Sequence, residues 1–264
     1  MPEVKVRLTD TLRRVYPRMR LDELRLLGQT PIPRNGIASF QIAVHNPGSD
    51  AVSVSASVVA SGNLNATVRL VGLVPMRHHN TGTPVDELDG VGHVPGLVPD
   101  PLLNSHETIL GPFETQAFWV SLRADKALRP GLTSVPVTIR QEEEPPRTFE
   151  AQIRVADLVL EPLRDFPITH WFYADALCDW YGLKPFEAAV WPLAERFMAD
   201  LAGHHGTCQY VPLFTPPTDG IKRPTQLLHV RKRRDGTYAF GFGDVRRWIH
   251  TARRCGAHFF EWTH

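Results

Sequence analysis

The fold class the sequence predicts is multidomain, β plus α/β. An N-terminal antiparallel β-sandwich is followed by the first three strands of an incomplete TIM-like (β/α) barrel. Three observations predict it. Residues 1 to about 160 alternate apolar and polar side chains with period two, the pattern of strands with one face in a core. Beyond Leu163 strand-like runs are separated by segments of helical period, which implies parallel pairing through crossovers. The sequence then reaches His264 after only three such strands. Barrel active sites are assembled from the ends of several strands, so part of a site is expected here without its catalytic centre.

In the first half, Ile37–Val44 is the first clear strand, closed by the turn-rich Asn46-Pro47-Gly48-Ser49-Asp50. Val52–Ser55 continues the alternation and Val68–Val71 follows it. Ala117–Leu122, Val135–Ile139 and Phe149–Val155 complete the set, with Arg129-Pro130-Gly131 as the turn before Val135. Short alternating strands with turn punctuation argue two packed antiparallel sheets. The tract from Pro75 to Pro112 breaks the pattern and is rich in Pro, Gly and His. Its apolar residues, among them Val91, Val94, Leu97 and Leu102, argue an ordered loop over residues 75–112.

In the second half, Phe166–Phe172 reads as a buried strand leading into Tyr173-Ala174-Asp175. From Pro185 to Ala202, Phe186, Val190, Leu193, Phe197, Met198 and Leu201 recur at helical spacing. Pro185 suits the first turn and Gly203 or Gly206 the exit. Gln209–Phe214 is the second strand. Leu227–Val230 then pairs with Tyr238–Phe240 through the turn dipeptide Asp235-Gly236. Val245, Trp248, Ile249 and Ala252 mark another amphipathic helix ending at Cys255-Gly256, and His258–Glu261 is the third strand. The domains are therefore expected at 1–160 and 161–264.

Composition excludes several classes. The 264 residues are 42% apolar, enough for real cores, and 29 basic against 28 acidic residues leave a charge of +1. Such balance gives no long-range attraction to nucleic acid or to membrane, so neither is expected as a partner. The dense basic run Arg231-Lys232-Arg233-Arg234 abuts a turn and reads as a solvated strand end, with phosphate contact as its alternative. Cys178, Cys208 and Cys255 form no CxxC pair and are expected as free thiols. No secretory signal is visible near Met1, and no run approaches the roughly 20 apolar residues of a span. A cytoplasmic protein is expected.

The phrases Thr169-His170-Trp171-Phe172-Tyr173-Ala174-Asp175, Pro212-Leu213-Phe214-Thr215-Pro216-Pro217 and Phe260-Glu261-Trp262-Thr263-His264 resemble the barrel opening of glycoside hydrolase family 123-like proteins. The tracts Asn80–Pro84 and Gly96–Leu102 resemble the long loop of the β-sandwich that precedes the barrel in the same proteins. The resemblance covers nearly the whole chain, as the N-terminal part of a family member. It implies hydrolysis of N-acetylhexosaminides, notably β-linked N-acetylgalactosamine, with the substrate's own acetamido group as nucleophile. An adjacent Asp-Glu pair on a later strand serves there, one residue orienting the acetamido nitrogen and the other protonating the leaving oxygen. Asp22-Glu23 and Asp86-Glu87 lie in the sandwich and do not match that position. No catalytic residue is therefore assigned in this chain, and none of its activity alone is expected.

The candidate substrate-binding residues are Trp171, Asp175, Glu261, His264 and His170. Asp175 and Glu261 stand at the C-terminal ends of predicted strands, where barrel enzymes bind substrate. They could accept hydrogen bonds from sugar hydroxyls, or simply cap a turn and pair with a neighbouring strand. Trp171, Tyr173 and Trp262 could offer ring faces to sugar C–H groups. Strand alternation favours core for Trp262 and leaves Trp171 open. His170 and His264 could bond a substrate oxygen or be structural. His78, His79, His93 and His106 match no metal spacing, so neither metal nor cofactor is expected. The function implied is a glycoside hydrolase-like protein acting on or binding N-acetylhexosamine-containing glycans. The alternative is a non-catalytic carbohydrate-binding or structural β-sandwich module. A glycan is the expected ligand, with a second chain as a candidate cover for the open barrel edge.

Overall fold

The computed structural model describes residues 2–60, 62–76, 84, 96–163, 165–171, 173–215 and 225–262. The chain divides into two compact units, Met1–Glu161 and Pro162–His264.

The N-terminal unit holds two five-stranded sheets. The first has the order β1-β3-β8-β5-β6, with β1 Lys5–Thr9, β3 Ile37–His45, β5 Leu64–Met76, β6 Gly96–Leu103 and β8 Thr115–Ala124. The second has the order β2-β10-β9-β4-β7, with β2 Thr30–Arg34, β4 Val52–Val58, β7 Glu107–Leu110, β9 Gly131–Gln141 and β10 Arg147–Val159. Inward residues of both sheets make one core. Phe40, Ile42, Phe118 and Val120 meet Val54, Val137, Ile139 and Ile153, all fully buried. In β4, β9 and β10 of the second sheet the residues between these are half-buried or exposed, as period-two pleating requires.

Three features depart from the sequence expectation. The unit is not purely antiparallel, because β2 lies parallel to β10. Its Pro31 and Pro33 lack the amide that a central strand must donate, so β2 occupies a sheet edge. The tract read as a loop over 75–112 contains β6 and β7. Pro99 and Pro101 hide β6 from a propensity reading. Among the described residues it is an edge strand paired only with β5, and the register shifts between Val71 and Leu73. Third, the outer face of the first sheet is covered by the segment around Val15 and Leu24, which packs on Ala43, Val71 and Ala117. Buried Gln41 ties that segment down, its Nε2 donating to the carbonyls of Asp10 and Arg13 at 2.9 Å each.

The C-terminal unit contains α1 Ala174–Tyr181, α2 Val190–Gly203, β11 Cys208–Val211, the hairpin β12 His229–Lys232 and β13 Tyr238–Gly241, α3 Gly243–Cys255, and β14 Phe259–Trp262. β11 and β14 pair in parallel, Cys208 with Phe259 through Val211 with Trp262. The strand expected at Phe166–Phe172 is reduced to one parallel bridge, Thr169 to Cys208. Pro167 has no amide to give, and the hydroxyl of Thr207 takes up the Ile168 amide at 3.0 Å in place of a ladder partner. The first expected helix begins at Val190, not Pro185. Phe186 adopts a left-handed φ of 56°, which helix cannot tolerate. The helix α1 was not expected at all.

These helices share a core in which Val190, Trp191, Ala194 and Met198 of α2 meet Val245, Trp248 and Ala252 of α3. The buried indole of Trp248 lies 6.4 Å from Trp191 and 6.2 Å from Phe186, edge-on to both. Its Nε1 donates to the Tyr210 carbonyl at 3.0 Å, so α3 and β11 are locked together. No helix among the described residues is long and apolar enough to cross a membrane.

Candidate functional site

The parallel pair β11–β14 has two faces. Val211 and Phe260 point into the helical core. Tyr210 and Glu261 are register partners on the other face, because paired residues of parallel strands project to the same side. Around Tyr210 an aromatic cluster is assembled. Its ring centroid lies 6.2 Å from Trp171 and 6.0 Å from Tyr173, and Trp171 and Tyr173 are 6.0 Å apart, edge to face. Edge-to-face geometry aligns ring quadrupoles favourably. It pins an indole that stays 65% exposed.

Tyr173 is the N-cap residue of α1, and Asp175 follows in its first turn. A carboxylate there gains from the helix dipole. Its Oδ1 is nevertheless buried with no hydrogen-bond partner among the described residues, which costs free energy until a donor is supplied. Glu261 is half-buried on β14. The pinned ring and the carboxylates of Asp175 and Glu261 belong to one fold unit, and their chemistry suits a ligand with both apolar and polar faces. The ring covers apolar C–H groups while carboxylates accept from hydroxyl or amide donors.

The structure thus places Trp171 in the cluster, Glu261 on its strand face and Asp175 in the adjoining helix turn. His170 precedes Trp171 with its side chain exposed. His264 lies outside the described residues, as do His78, His79 and His93. Trp262, expected as core, is instead 45% exposed as the last residue of β14. Tyr210 was read only as part of a buried strand. Its alternation with Val211 was the signal that it faces away from the helices. Among the described residues no group of three or more His, Cys, Asp or Glu could hold a metal ion. Cys178, Cys208 and Cys255 are free thiols.

Comparison with known proteins adds to this geometry. Residues 171–264 match the family described as Glycoside hydrolase 123, catalytic domain. No curated protein matches the sequence. Among solved structures, a family 123 glycoside hydrolase from Clostridium perfringens, studied for glycolipid glycan hydrolysis, superposes with a TM-score of 0.73 at 16% identity. The match covers 96% of this chain and 46% of that one, so the chain spans less than half the length of that relative. A FixG-related protein from Vibrio parahaemolyticus, at 10% identity over 59% of this chain and 98% of that one, reaches only 0.32, and nothing follows from it. By its matched family and by its fold, the chain is similar to glycoside hydrolase family 123.

Proposed function

We propose that the C-terminal unit is one wall of a glycan site in a glycoside hydrolase-like protein, and that its ligand contains N-acetylhexosamine. In this reading β11 and β14, with the bridged segment at Thr169, are the opening strands of a (β/α) barrel. The single observation that carries the proposal is the exposed yet pinned ring of Trp171. A ring held in place while its face stays open is pre-organised for a ligand, and a sugar's C–H face suits it. Asp175 and Glu261 accept hydroxyl or amide donors beside it, and His170 contributes a further polar contact. The acids of residues 162–264 stand singly in sequence, so the adjacent Asp-Glu pair of the resemblance has no counterpart among them. This segment binds, and the proton donor is supplied from elsewhere. A second chain covering the sheet would lie along β14, whose one strand neighbour among the described residues is β11. The cytoplasm remains the proposed location.

Calorimetric titration with a β-N-acetylgalactosaminide tests this. Binding is expected without release of product from a chromogenic N-acetylgalactosaminide. Trp171→Ala should weaken binding about tenfold, the size of one aromatic contact. Unchanged affinity in that variant would overturn the reading, and turnover by the chain would overturn its binding-only role.

One observation favours a second reading, a carbohydrate-binding module in the N-terminal unit. An open cleft of about 380 Å³ there is lined by Arg13, Gln41, Asp100 and Trp119, again a ring beside polar groups. Glycan binding retained by Met1–Glu161 alone would select it.

A further inference from the structure

We propose that the β12–β13 hairpin docks the protein on an anionic phospholipid surface. The register pairs Val230 with Phe240 and Lys232 with Tyr238, so these four side chains share one face of a two-stranded ribbon. Val230 is 42%, Tyr238 53% and Phe240 58% exposed, and Phe242 follows them into solvent. Arg231, Lys232, Arg233 and Arg234 are exposed as well.

The carboxylate of Asp235 at the turn offsets one of the four positive charges of Arg231, Lys232, Arg233 and Arg234 and leaves the tip cationic. Asp235 is engaged by the amide and hydroxyl of Thr237 at 3.0 and 2.7 Å. The chain as a whole carries only +1, so positive charge is concentrated locally instead of spread over the molecule.

This combination identifies the occupant. Aromatic rings along one face of a ribbon lie favourably at headgroup depth, where an apolar body and a polar edge are both accommodated. Long Lys and Arg side chains beside them bury their stems and deliver their charge to lipid phosphates. A soluble acidic glycan would satisfy the cations and leave Val230 and Phe240 in water, so the lipid surface fits more of the observations. Placement agrees. The hairpin lies in the connection from the C-terminal end of β11 to α3, the end that bears Tyr210. Docking of the hairpin does not depend on the glycan reading, and either can fail alone.

The test is sedimentation of the full chain with phosphatidylcholine vesicles, with and without phosphatidylserine. Binding is expected only to the doped vesicles and should weaken as salt is raised. Lys232→Glu combined with Arg234→Glu should lower partitioning roughly tenfold or more. Tyr238→Ser with Phe240→Ser should lower it while keeping the salt dependence. Both pairs are exposed, and an unchanged thermal melt by circular dichroism establishes that each variant is folded. Parent-like partitioning of the charge-reversed variant, or equal binding to undoped vesicles, would overturn the proposal. Retention on heparin with no binding to doped vesicles would overturn it in favour of an acidic glycan.

Discussion

Thr115 gives its hydroxyl proton to the carbonyl of Met19 at 2.7 Å, so it can only accept from the Nδ1 of His45, 2.9 Å away. The Nδ1 of His45 therefore carries a proton. Burial pushes its pKa below the usual imidazole range, and the charge of Lys5 adds to the effect. The unfolded chain then binds this proton more readily than the folded one. The contribution to stability is complete above about pH 6.5 and is lost as pH falls toward the lowered folded value. His45→Gln, which can still donate to Thr115, should show a shallower loss of melting temperature on acidification. Cys255 carries a second perturbation, its thiol raised by burial and then by the charge of Glu195. Less thiolate means slower alkylation. Mass spectrometry of iodoacetamide-treated protein should show Cys255 labelled more slowly than a free peptide thiol, and faster in Glu195→Gln. At this scale the sequence was partly legible. Glu261 stands on a strand the sequence predicts, whereas Trp171 follows a strand reduced to one bridge and Asp175 lies in the first turn of α1. Tyr210 could not be singled out, because its role depends on which strand lies beside it.

Elements were read best where a core enforces the pattern. The helix α3 was located because Val245, Trp248 and Ala252 recur on one face while Arg246, Arg247, Arg253 and Arg254 occupy the other. It stops at Gly256, whose φ of 109° is open to glycine and strained for other residues. Gly256→Ala should cost about 1–3 kcal/mol in chemical denaturation. Trp248→Ala should cost more, about 3–5 kcal/mol, since it empties the centre of the helical core and removes the indole donor to the Tyr210 carbonyl. The elements that escaped the reading lie at edges. β1 and β2 precede the first clear strand, and β6 carries two prolines, so neighbours rather than propensity define them. The helix α1 is eight residues long, too short for its period to stand out.

At the scale of the molecule, the two units each own a hydrophobic core, one built from two sheets and one from three helices on a parallel strand pair. The chain between them, Leu160 to Leu163, is exposed. Units with separate cores and an exposed junction are expected to fold separately. Residues Met1–Glu161 produced alone should therefore melt cooperatively, and a non-cooperative melt would show that the first core needs the second unit. The change of period near residue 160 made a junction legible. What the sequence could not display was pairing between distant segments, such as β2 beside β10, since no local pattern records a partner about 120 residues away.

The burial of Trp248 has an optical consequence. Of the six tryptophans only Trp119 lies in Met1–Glu161, whereas Trp171, Trp180, Trp191, Trp248 and Trp262 all fall in Pro162–His264. Intrinsic fluorescence thus reports almost entirely on the helical half, shielded Trp248 and Trp191 emitting to the blue of solvated Trp180. Light emitted by this protein during unfolding follows one half of it and is nearly blind to the other.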